Sequence, residues 1–449
     1  MSDRRVERKF PPLIYWQSIL YLLPKAATLK EKLFAAFRSR NYRLYFFGQS
    51  LSLIGTWMQR TAVYWLVYEI SDSAFILGIT VFCAQFPSFL FSMLGGVVSD
   101  RYDRFRVLLA TQLASLVQAL ALAFLVFQGS YELWHILLLT AGLGAINAFD
   151  IPARQAMVYD MISQKEHLPN AIALNSSMVN AARLVGPAIS GIVLDKFGAE
   201  ICFLSNAFSF MAVIMSLLLM KLPSFIARKR MTTISADLKE GFYYLHRTPE
   251  ISKVMLMLAG VSLLSLPFVT LLPVYAGDIF NGDASTFGLL NSFVGAGAVS
   301  GALFLAALKP GTNLKKVLFY CTLLFGVGLI AFAYMQSFPV ALIFITIAGF
   351  GMMTQTTLSN TLIQTTVAAT MRGRVISYYA MAFFGMQPIG GLIVGSAAHV
   401  IGAPLTILLQ GLATLLIAIM FFPFLRRDVL LRKHRMKMNQ VEERVIENT

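Results

Sequence analysis

Charged residues are scarce in this chain. Asp, Glu, Lys and Arg make up 13% of its 449 residues, whereas a soluble chain carries about 25%. The mean hydropathy is +0.68. These values exclude a soluble enzyme and a disordered protein. They also exclude an outer-membrane barrel, because barrel strands are weakly hydrophobic and alternate between apolar and polar residues.

Cysteine and histidine are scarce as well, with three and five residues. Cys83, Cys202 and Cys321 lie in separate apolar runs, and an odd number without metal-ligand spacing argues against a disulfide framework and a zinc site. The histidines show no ligand spacing, and the sequence contains no Walker A lysine motif and no Ser/His/Asp arrangement. We therefore expect no catalytic residue, no metal and no cofactor, and we predict that the chain is not an enzyme.

Long apolar runs dominate the sequence instead. Hydrophobic residues make up 57% of the chain, and at about 20 residues per span they leave room for about twelve transmembrane helices. Twelve such runs are present, with approximate bounds 44–69, 73–98, 107–128, 134–158, 170–194, 201–220, 254–277, 286–308, 317–335, 338–364, 375–399 and 404–425. Short turns separate most of them, and only 221–250 is a longer polar connection between runs.

This pattern predicts an all-α membrane protein with twelve transmembrane helices in two pseudo-symmetric six-helix lobes. The predicted parts are an N-terminal extension 1–43, a first lobe 44–220, a linker 221–250, a second lobe 251–425 and a basic tail 426–449.

The net charge of +15 would suggest nucleic acid in a soluble protein. In a membrane protein, Lys and Arg gather on the cytoplasmic side. With the N-terminus inside, the inner segments hold 32 Lys and Arg residues and the outer turns hold one, Lys196. We therefore predict a bacterial-type inner-membrane protein with both termini in the cytoplasm and no nucleic-acid partner.

Two segments outside the runs carry apolar residues. Residues 13–23 are too few to span a bilayer, and we interpret them as part of an interfacial cytoplasmic extension. Residues 235–246 place apolar side chains at helical spacing between charges. This pattern predicts a helix that lies on the inner face of the membrane.

An internal repeat relates the two halves. Residues 170–191 align without gaps with 374–395, so that Gly186 falls on Gly390 and Arg183 on Gln387. A repeat with the same orientation in both halves is typical of a two-lobed transporter, and Gly and Pro at such places let helices approach closely and bend. The residues predicted on the lobe-interface helices are Arg183, Gly186, Pro187, Gln387 and Gly390.

The loop between the second and third runs reads GVVSDRYDR from Gly96 to Arg104. Asp100 can pair there with Arg101, with Arg104 or with a helix terminus, and such a pair can latch one conformation and release another. The loop resembles the G-x-x-x-D-R-x-x-R signature of the major facilitator superfamily. The alternative is a capped basic loop without a gating role. The matching loop 309–316 is basic but has no acidic residue, so any latch is asymmetric.

Further segments narrow the resemblance. Residues 147–156, 174–176, 183–187 and 372–375 are similar to signatures of the branch that holds the enterobactin exporter and macrolide efflux pumps. The resemblance covers about 38–425 and implies a monomeric secondary transporter, usually a proton-driven exporter of siderophores or drugs. It also implies that spans one, four, seven and ten surround a central cavity. The fifth helix lacks the full glycine array of drug antiporters, so the direction of transport stays open.

Charges inside the runs are the main site candidates, because each costs at least about 2.5–3.5 kcal/mol near the bilayer centre. Arg60 is interpreted as a ligand for an anionic or chelating substrate, or else as bonded to helix carbonyls. Asp150 and Arg154 share one helix face at i,i+4. Asp150 is therefore either the proton-coupling acid or half of a pair that braces the inner gate. Glu69, at the outer end of the first run, is a second coupling candidate.

Arg60, Arg154 and Arg183 against Asp150 leave an excess of about +2 in the membrane interior, when Glu69 at the rim is left out of the count. This excess argues against a simple cation exporter. Several polar or aromatic residues are candidates either for binding substrate or for contacts between helices. They are Trp57 and Tyr64 beside Arg60, and Asn147, Tyr275, Gln355 and Asn360 on other runs.

The leading prediction is export of a small organic molecule by rocking of two lobes around a midplane site. A siderophore-like anion is the favoured substrate, and proton coupling follows from the resemblance. The expected partners are that substrate, protons and membrane lipid. The alternatives are multidrug or macrolide efflux, siderophore import, lysophospholipid flipping, and a membrane sensor that binds a ligand without moving it.

Overall fold

A computed structural model describes residues 34–222, 234–309, 311–368 and 370–423. The described residues form helices and turns, with no β-strand among them. The first lobe contains α1 Arg40–Ser71, α2 Ala74–Arg101, α3 Arg104–Gln128, α4 Leu133–Met161, α5 Leu168–Phe197 and α6 Ala199–Leu218. The predicted N-terminal extension before residue 34, the linker segment 223–233 and the tail after residue 423 lie outside the described residues.

The second half begins with a short helix and continues with six longer ones. They are α7 Ile234–Arg247, α8 Pro249–Ile279, α9 Ala284–Ala306, α10 Leu314–Ala333, α11 Phe338–Thr366, α12 Arg372–Ile401 and α13 Ala403–Pro423. The bounds follow the apolar runs closely. The largest difference is at α8, which starts at residue 249 rather than 254, because Pro249 and Glu250 favour a first helical turn.

Eleven of the described helices, α2 to α6 and α8 to α13, are long and apolar enough to cross a membrane. The twelfth predicted span is α1, which has 32 residues but is more polar. Its polar side chains face other helices: Gln59 donates to Gln118 of α3 at 2.9 Å and accepts from Asn206 of α6 at 2.7 Å. Polar contacts of this kind join helices where the surroundings are apolar.

The internal repeat extends beyond the segments that were aligned. The offset of 204 residues that relates Gly186 to Gly390 also relates Gly198 to Gly402, which both have φ of +84° just before α6 and α13. Such a positive φ favours glycine. The same offset relates Asn206 to Gln410, whose amide donates to the Leu264 carbonyl of α8. The sixth span is thus tied to the first, and the twelfth to the seventh, by matching amides.

The lobes meet along the halves of their helices nearest the predicted outer end. A Cβ at Gly288 of α9 would lie 2.6 Å from the Pro187 carbonyl of α5, and one at Gly395 of α12 would lie 2.6 Å from the Ala74 carbonyl of α2. This seam continues inward as far as Phe89, which packs against the backbone of Gly385. Among the described residues, no comparable contact joins the inner halves of α4 and α11.

The short helix α7 packs at the predicted inner end of the second lobe, close to the predicted helix 235–246. Glu240 forms an ion pair with Arg374 of α12 at 3.1 Å, and the Tyr244 hydroxyl accepts from the Ala368 amide at 3.1 Å. Leu245 is buried in the lobe, while Phe242 is 64% exposed. The helix therefore has one face on the protein and one face directed away from it.

The glycine of the signature loop, Gly96, lies next to the glycine at which two helices meet. A Cβ at Gly96 would have no neighbour within 4 Å, whereas a Cβ at Gly95 would lie 1.9 Å from the Ala148 carbonyl of α4. The close approach of α2 to α4 therefore requires Gly95 and not Gly96. Successive residues point about 100° apart around a helix, so the neighbouring position faces away from the contact.

We expect Gly95→Ala to lower the stability by about 1–3 kcal/mol, because the added methyl group forces two backbones apart. Gly96→Ala is the matched control and is expected to leave stability unchanged or slightly raised. The measurement is the Tm of the two purified variants in the same detergent. Equal losses of Tm in both variants would contradict the assignment.

Candidate functional site

Two arginines from different helices share one tryptophan. The guanidinium carbon of Arg60 lies 5.2 Å from the ring centroid of Trp57 and 5.5 Å from that of Tyr64. The guanidinium carbon of Arg183, on α5, also lies 5.2 Å from the Trp57 ring. We call Trp57, Arg60, Tyr64 and Arg183 the basic cluster. It brings together three predicted substrate-binding residues and one residue predicted only as part of an interface helix.

Glycine positions the cluster. A Cβ at Gly186 would lie 2.5 Å from the Trp57 Cβ, so α5 approaches α1 closely at this point. Gly390 makes the matching approach to the Leu263 carbonyl of α8. These two predicted interface glycines therefore pack within their own lobes. Pro187, the next residue, is the one that reaches the seam, through its carbonyl beside Gly288.

Neither arginine of the cluster has a described carboxylate partner. Among the residues that the structure describes, no Asp or Glu oxygen lies within 4.0 Å of Arg60 or Arg183. The Arg183 Nε and the Tyr64 hydroxyl are buried without a hydrogen-bond partner. Cation–π contacts offset part of the cost of such charges, but they leave the net charge of the cluster at about +2.

Asp150 is the buried carboxylate of the first lobe and is 4% exposed. It accepts hydrogen bonds from the Thr111 hydroxyl at 3.0 Å and the Gln112 amide at 2.7 Å, and it pairs with Arg154 at 3.0 Å. The carboxylate is therefore fully engaged between α3 and α4. This geometry favours the bracing alternative over a role as the proton-coupling acid.

We expect Asp150→Asn to lower the free energy of unfolding by about 1.5–3 kcal/mol, because charge-assisted hydrogen bonds are lost. The matched control is Asp160→Asn, which breaks the more exposed pair with Arg104 and should cost about 0–1 kcal/mol. Thermal unfolding in detergent measures both. A variant of normal stability that transports without responding to a pH gradient would instead make Asp150 the coupling acid.

The signature loop is only partly engaged. Asp100 and Arg101 are exposed, and among the described residues Asp100 forms no ion pair. Arg104 pairs with Asp160 at the end of α4 at 2.9 Å. Asp103 caps α3 by accepting from the Phe105 amide at 3.0 Å. In this conformation the predicted latch between Asp100 and a basic residue is not formed, and Arg104 braces α3 against α4.

Two of the predicted substrate-binding residues are buried in this conformation. Tyr275 is fully buried, donates to the Ala333 carbonyl at 2.6 Å and stacks on Phe332. Gln355 is also fully buried, and its amide lies 3.4 Å from the Ser359 hydroxyl. Tyr275 therefore contacts a neighbouring helix and Gln355 its own helix, since polar side chains of membrane helices serve packing as well as binding. Their assignment to substrate binding stays a prediction.

The remaining predicted residues are partly exposed. Asn147 lies on α4, Asn360 accepts from Gln364 at 2.8 Å, and Gln387 donates to the Phe383 carbonyl of its own helix at 3.2 Å. Glu69 is exposed at the end of α1 and accepts from Trp65 at 2.7 Å. Their assignments to substrate binding, the lobe interface and proton coupling stay predictions.

The sequence reasoning missed the contact that closes the predicted outer end. The Tyr68 hydroxyl of α1 donates to the Asp278 carboxylate of α8, across the two lobes. Trp65 stacks on Phe287 of α9 with ring centroids 5.9 Å apart. A Cβ at Gly277 would collide with the Tyr68 ring. Asp278, an acidic residue at the end of a span, was the available signal, but no sequence pattern predicts that Tyr68 is its partner.

We expect Tyr68→Phe to raise the ratio of molecules with separated outer ends to molecules with closed outer ends by about 10–100-fold. The reason is the loss of a hydrogen bond to a charged group. The distance between spin labels at the exposed residues Ser130 and Gln336 reports the change. Asp283→Asn is the control, because Asp283 caps α9 within its own lobe and does not join the two lobes. Hydrogen bonds from Ser285 and the Thr286 amide hold the pKa of this carboxyl below the usual range. An unchanged distance distribution in Tyr68→Phe would refute the role of the contact.

The fold and the position of the basic cluster define a class of protein. Two repeated six-helix bundles meet along a seam, with uncompensated charge beside it, as in two-lobed membrane transporters. The chain belongs to the family described as "Transmembrane secretion effector", a family of the major facilitator superfamily, which it matches over residues 31–448. It is a multi-pass membrane transporter and not an enzyme, and the predicted superfamily is confirmed.

Two curated relatives and one solved structure support this placement. The staphyloferrin A transporter of Staphylococcus aureus (strain NCTC 8325 / PS 47) is 28% identical over 86% of this chain and 97% of its own length. The enterobactin exporter of Shigella boydii serotype 4 (strain Sb227) is 23% identical over 89% and 94%. This second match confirms the branch named from the sequence.

The solved structure confirms the fold. A bacterial homologue of the human lysosomal transporter Spinster, in an inward-facing and unoccupied conformation, has a TM-score of 0.67 and 13% identity, covering 85% of this chain and 96% of that one. The predicted all-α fold with two six-helix lobes is therefore confirmed as a major facilitator fold.

Proposed function

We propose that this transporter exports a small anionic organic molecule by alternating access, coupled to protons. The observation that carries the proposal is the basic cluster, in which Arg60 and Arg183 share the Trp57 ring without a described acidic partner. An anionic substrate would neutralise this charge, whereas a cation would be repelled by it.

The charge balance supports the same choice. Asp150 is occupied by Arg154, so the excess inside the spans belongs to Arg60 and Arg183. The excess of about +2 counted from the sequence is thus located at one place. A charge in this region is costly unless it has a partner or a function, and substrate binding supplies both.

The location of the cluster suits alternating access. Arg60 precedes Tyr68 by eight residues, so it lies about 12 Å along α1 from the outer contact. The backbone of Arg183 lies beside Gly295 of α9, in the other lobe. A substrate bound there touches the boundary about which the lobes rock.

The charge distribution supports one orientation in the membrane. The excess of Lys and Arg in the inner segments favours cytoplasmic termini in a bacterial-type inner membrane. In that orientation the Tyr68–Asp278 contact is extracellular, which supports an inward-facing, substrate-loading state of an exporter. We expect a monomer, because each chain contains both lobes of the site.

The names of two relatives favour a siderophore-like substrate, since one is a staphyloferrin A transporter and another an enterobactin exporter. Macrolide or other drug efflux is the second candidate within export. Siderophore import would reverse the direction, lysophospholipid flipping would need a lateral opening between helices, and a sensor would bind without exchange. An anionic substrate accounts for the uncompensated arginines in either direction of transport, whereas a cationic drug does not. Export is the proposed direction because the family is described as a secretion effector.

We expect Arg60→Ala to reduce counterflow of anionic chelators into proteoliposomes by about 10–100-fold, because a charge-assisted contact to substrate is lost. Arg106→Ala is the matched control, since the Arg106 side chain is 86% exposed and lies outside the cluster. The assay uses carboxylate and catecholate chelators beside cationic dyes, with and without an imposed pH gradient.

Each result separates the candidates. Transport of anions that the gradient stimulates supports proton-coupled export, whereas transport that ignores the gradient refutes the coupling. Transport of dyes alone, or an Arg60→Ala variant as active as the control, would make the chain a multidrug pump with a structural Arg60. Binding without counterflow would make it a sensor.

A further inference from the structure

The unpartnered atoms of the basic cluster indicate how many negative charges the substrate carries, in addition to its being an anion. We propose that Arg183 and Tyr64 complete a two-point oxyanion site with Arg60, and that this site selects substrates carrying at least two negative charges. The inference rests on the proposed function, because it concerns the same site. It adds a specificity-determining residue, Arg183, whose sequence pattern indicated only a place on an interface helix.

The geometry supplies two separate cationic points. The guanidinium carbons of Arg60 and Arg183 each lie 5.2 Å from the centroid of the same indole ring. They come from different helices, α1 and α5, so their spacing is set by helix packing at Gly186 and not by a flexible loop. Guanidinium groups bind carboxylates through paired hydrogen bonds in a fixed plane. Two such groups on different helices can each take one carboxylate of the same molecule.

Two unpartnered polar atoms point to a ligand. The Arg183 Nε and the Tyr64 hydroxyl are buried, and neither has a hydrogen-bond partner among the described residues. Tyr64 is 6% exposed. Buried polar groups in proteins are almost always paired, so two unpaired donors within the basic cluster indicate that a further acceptor belongs there. Substrate oxygens are acceptors of the required kind.

The two positive charges of the cluster indicate that the substrate carries two negative charges. A single negative charge would leave one guanidinium uncompensated in the membrane interior, whereas two negative charges neutralise both. Asp150 cannot supply the second charge, because it is engaged by Arg154, Thr111 and Gln112.

The repeat shows that packing alone does not demand an arginine at this position. Gln387 stands at the equivalent place on α12 and, among the described residues, donates to the Phe383 carbonyl of its own helix. Arg183→Gln therefore introduces the residue that the second lobe uses in the same packing context. This variant removes the charge with little change of helix contacts.

The test measures binding of citrate, citrate monoamide and citrate diamide, which carry three, two and one negative charges on one skeleton. Quenching of tryptophan fluorescence in the purified full-length chain gives the Kd. Wild type should bind the dianion at least 10-fold more tightly than the monoanion. Arg183→Gln should lose at least 10-fold for the dianion and little for the monoanion, and Arg183→Lys should keep the preference. Tyr64→Phe should weaken all three ligands by about 3–10-fold without changing the preference.

Several outcomes overturn the inference. Equal weakening of monoanion and dianion in Arg183→Gln would assign Arg183 a structural role, and an unchanged preference would remove it from the site. Binding of none of the three ligands by wild type would also overturn it. Counterflow measurements distinguish a failure of the two-point site from a failure of the proposed function. A wild type that moves anionic chelators without charge preference refutes only the two-point site, and one that moves only dyes refutes the function beneath it.

Discussion

Close approach of helix backbones at glycine is the constraint on which this structure depends. Helices surrounded by lipid gain little from burying apolar side chains against each other, so packing must come from small residues and polar contacts. Gly288 and Gly395 let the lobes meet at the seam, and Gly186 and Gly390 let α5 and α12 meet their partners inside each lobe. The same glycines fix where α1 and α5 hold their arginines. The scaffold and the candidate site therefore share one physical cause.

Charge is the second constraint, and the first lobe contains both paired and unpaired charges. Asp150 and Arg154 neutralise each other and are bound by two further donors, so they stiffen the first lobe. Arg60 and Arg183 have no such acid among the described residues and lie beside the seam. A paired charge in a membrane is neutralised by its partner, whereas an unpaired one remains costly and is therefore the first place to look for a functional role.

Much of the fold could be predicted from the sequence, because membrane spans produce local apolar runs and the repeat produces a constant offset between equivalent residues. Twelve apolar runs gave the helices, and the offset that relates Gly186 to Gly390 proved to extend to Gly198 and Gly402. The site was less predictable. The i,i+4 spacing of Asp150 and Arg154 showed their shared face, but their partners Thr111 and Gln112 lie about forty residues away. Gly95 rather than Gly96 is required because of the face that α2 turns toward α4. The hydrophobicity of the run does not predict which face that is.

The asymmetry within the repeat connects fold and function. Where the halves agree, as at Gly186 and Gly390 or Asn206 and Gln410, the shared residues make equivalent contacts within each lobe and therefore serve packing. Where they differ, as at Arg183 and Gln387, the contacts differ as well, because Gln387 donates to a carbonyl of its own helix and Arg183 lies over the Trp57 ring. The shared packing therefore does not explain the charge at Arg183. Positions at which the two halves differ are the ones where a requirement other than packing has to be sought.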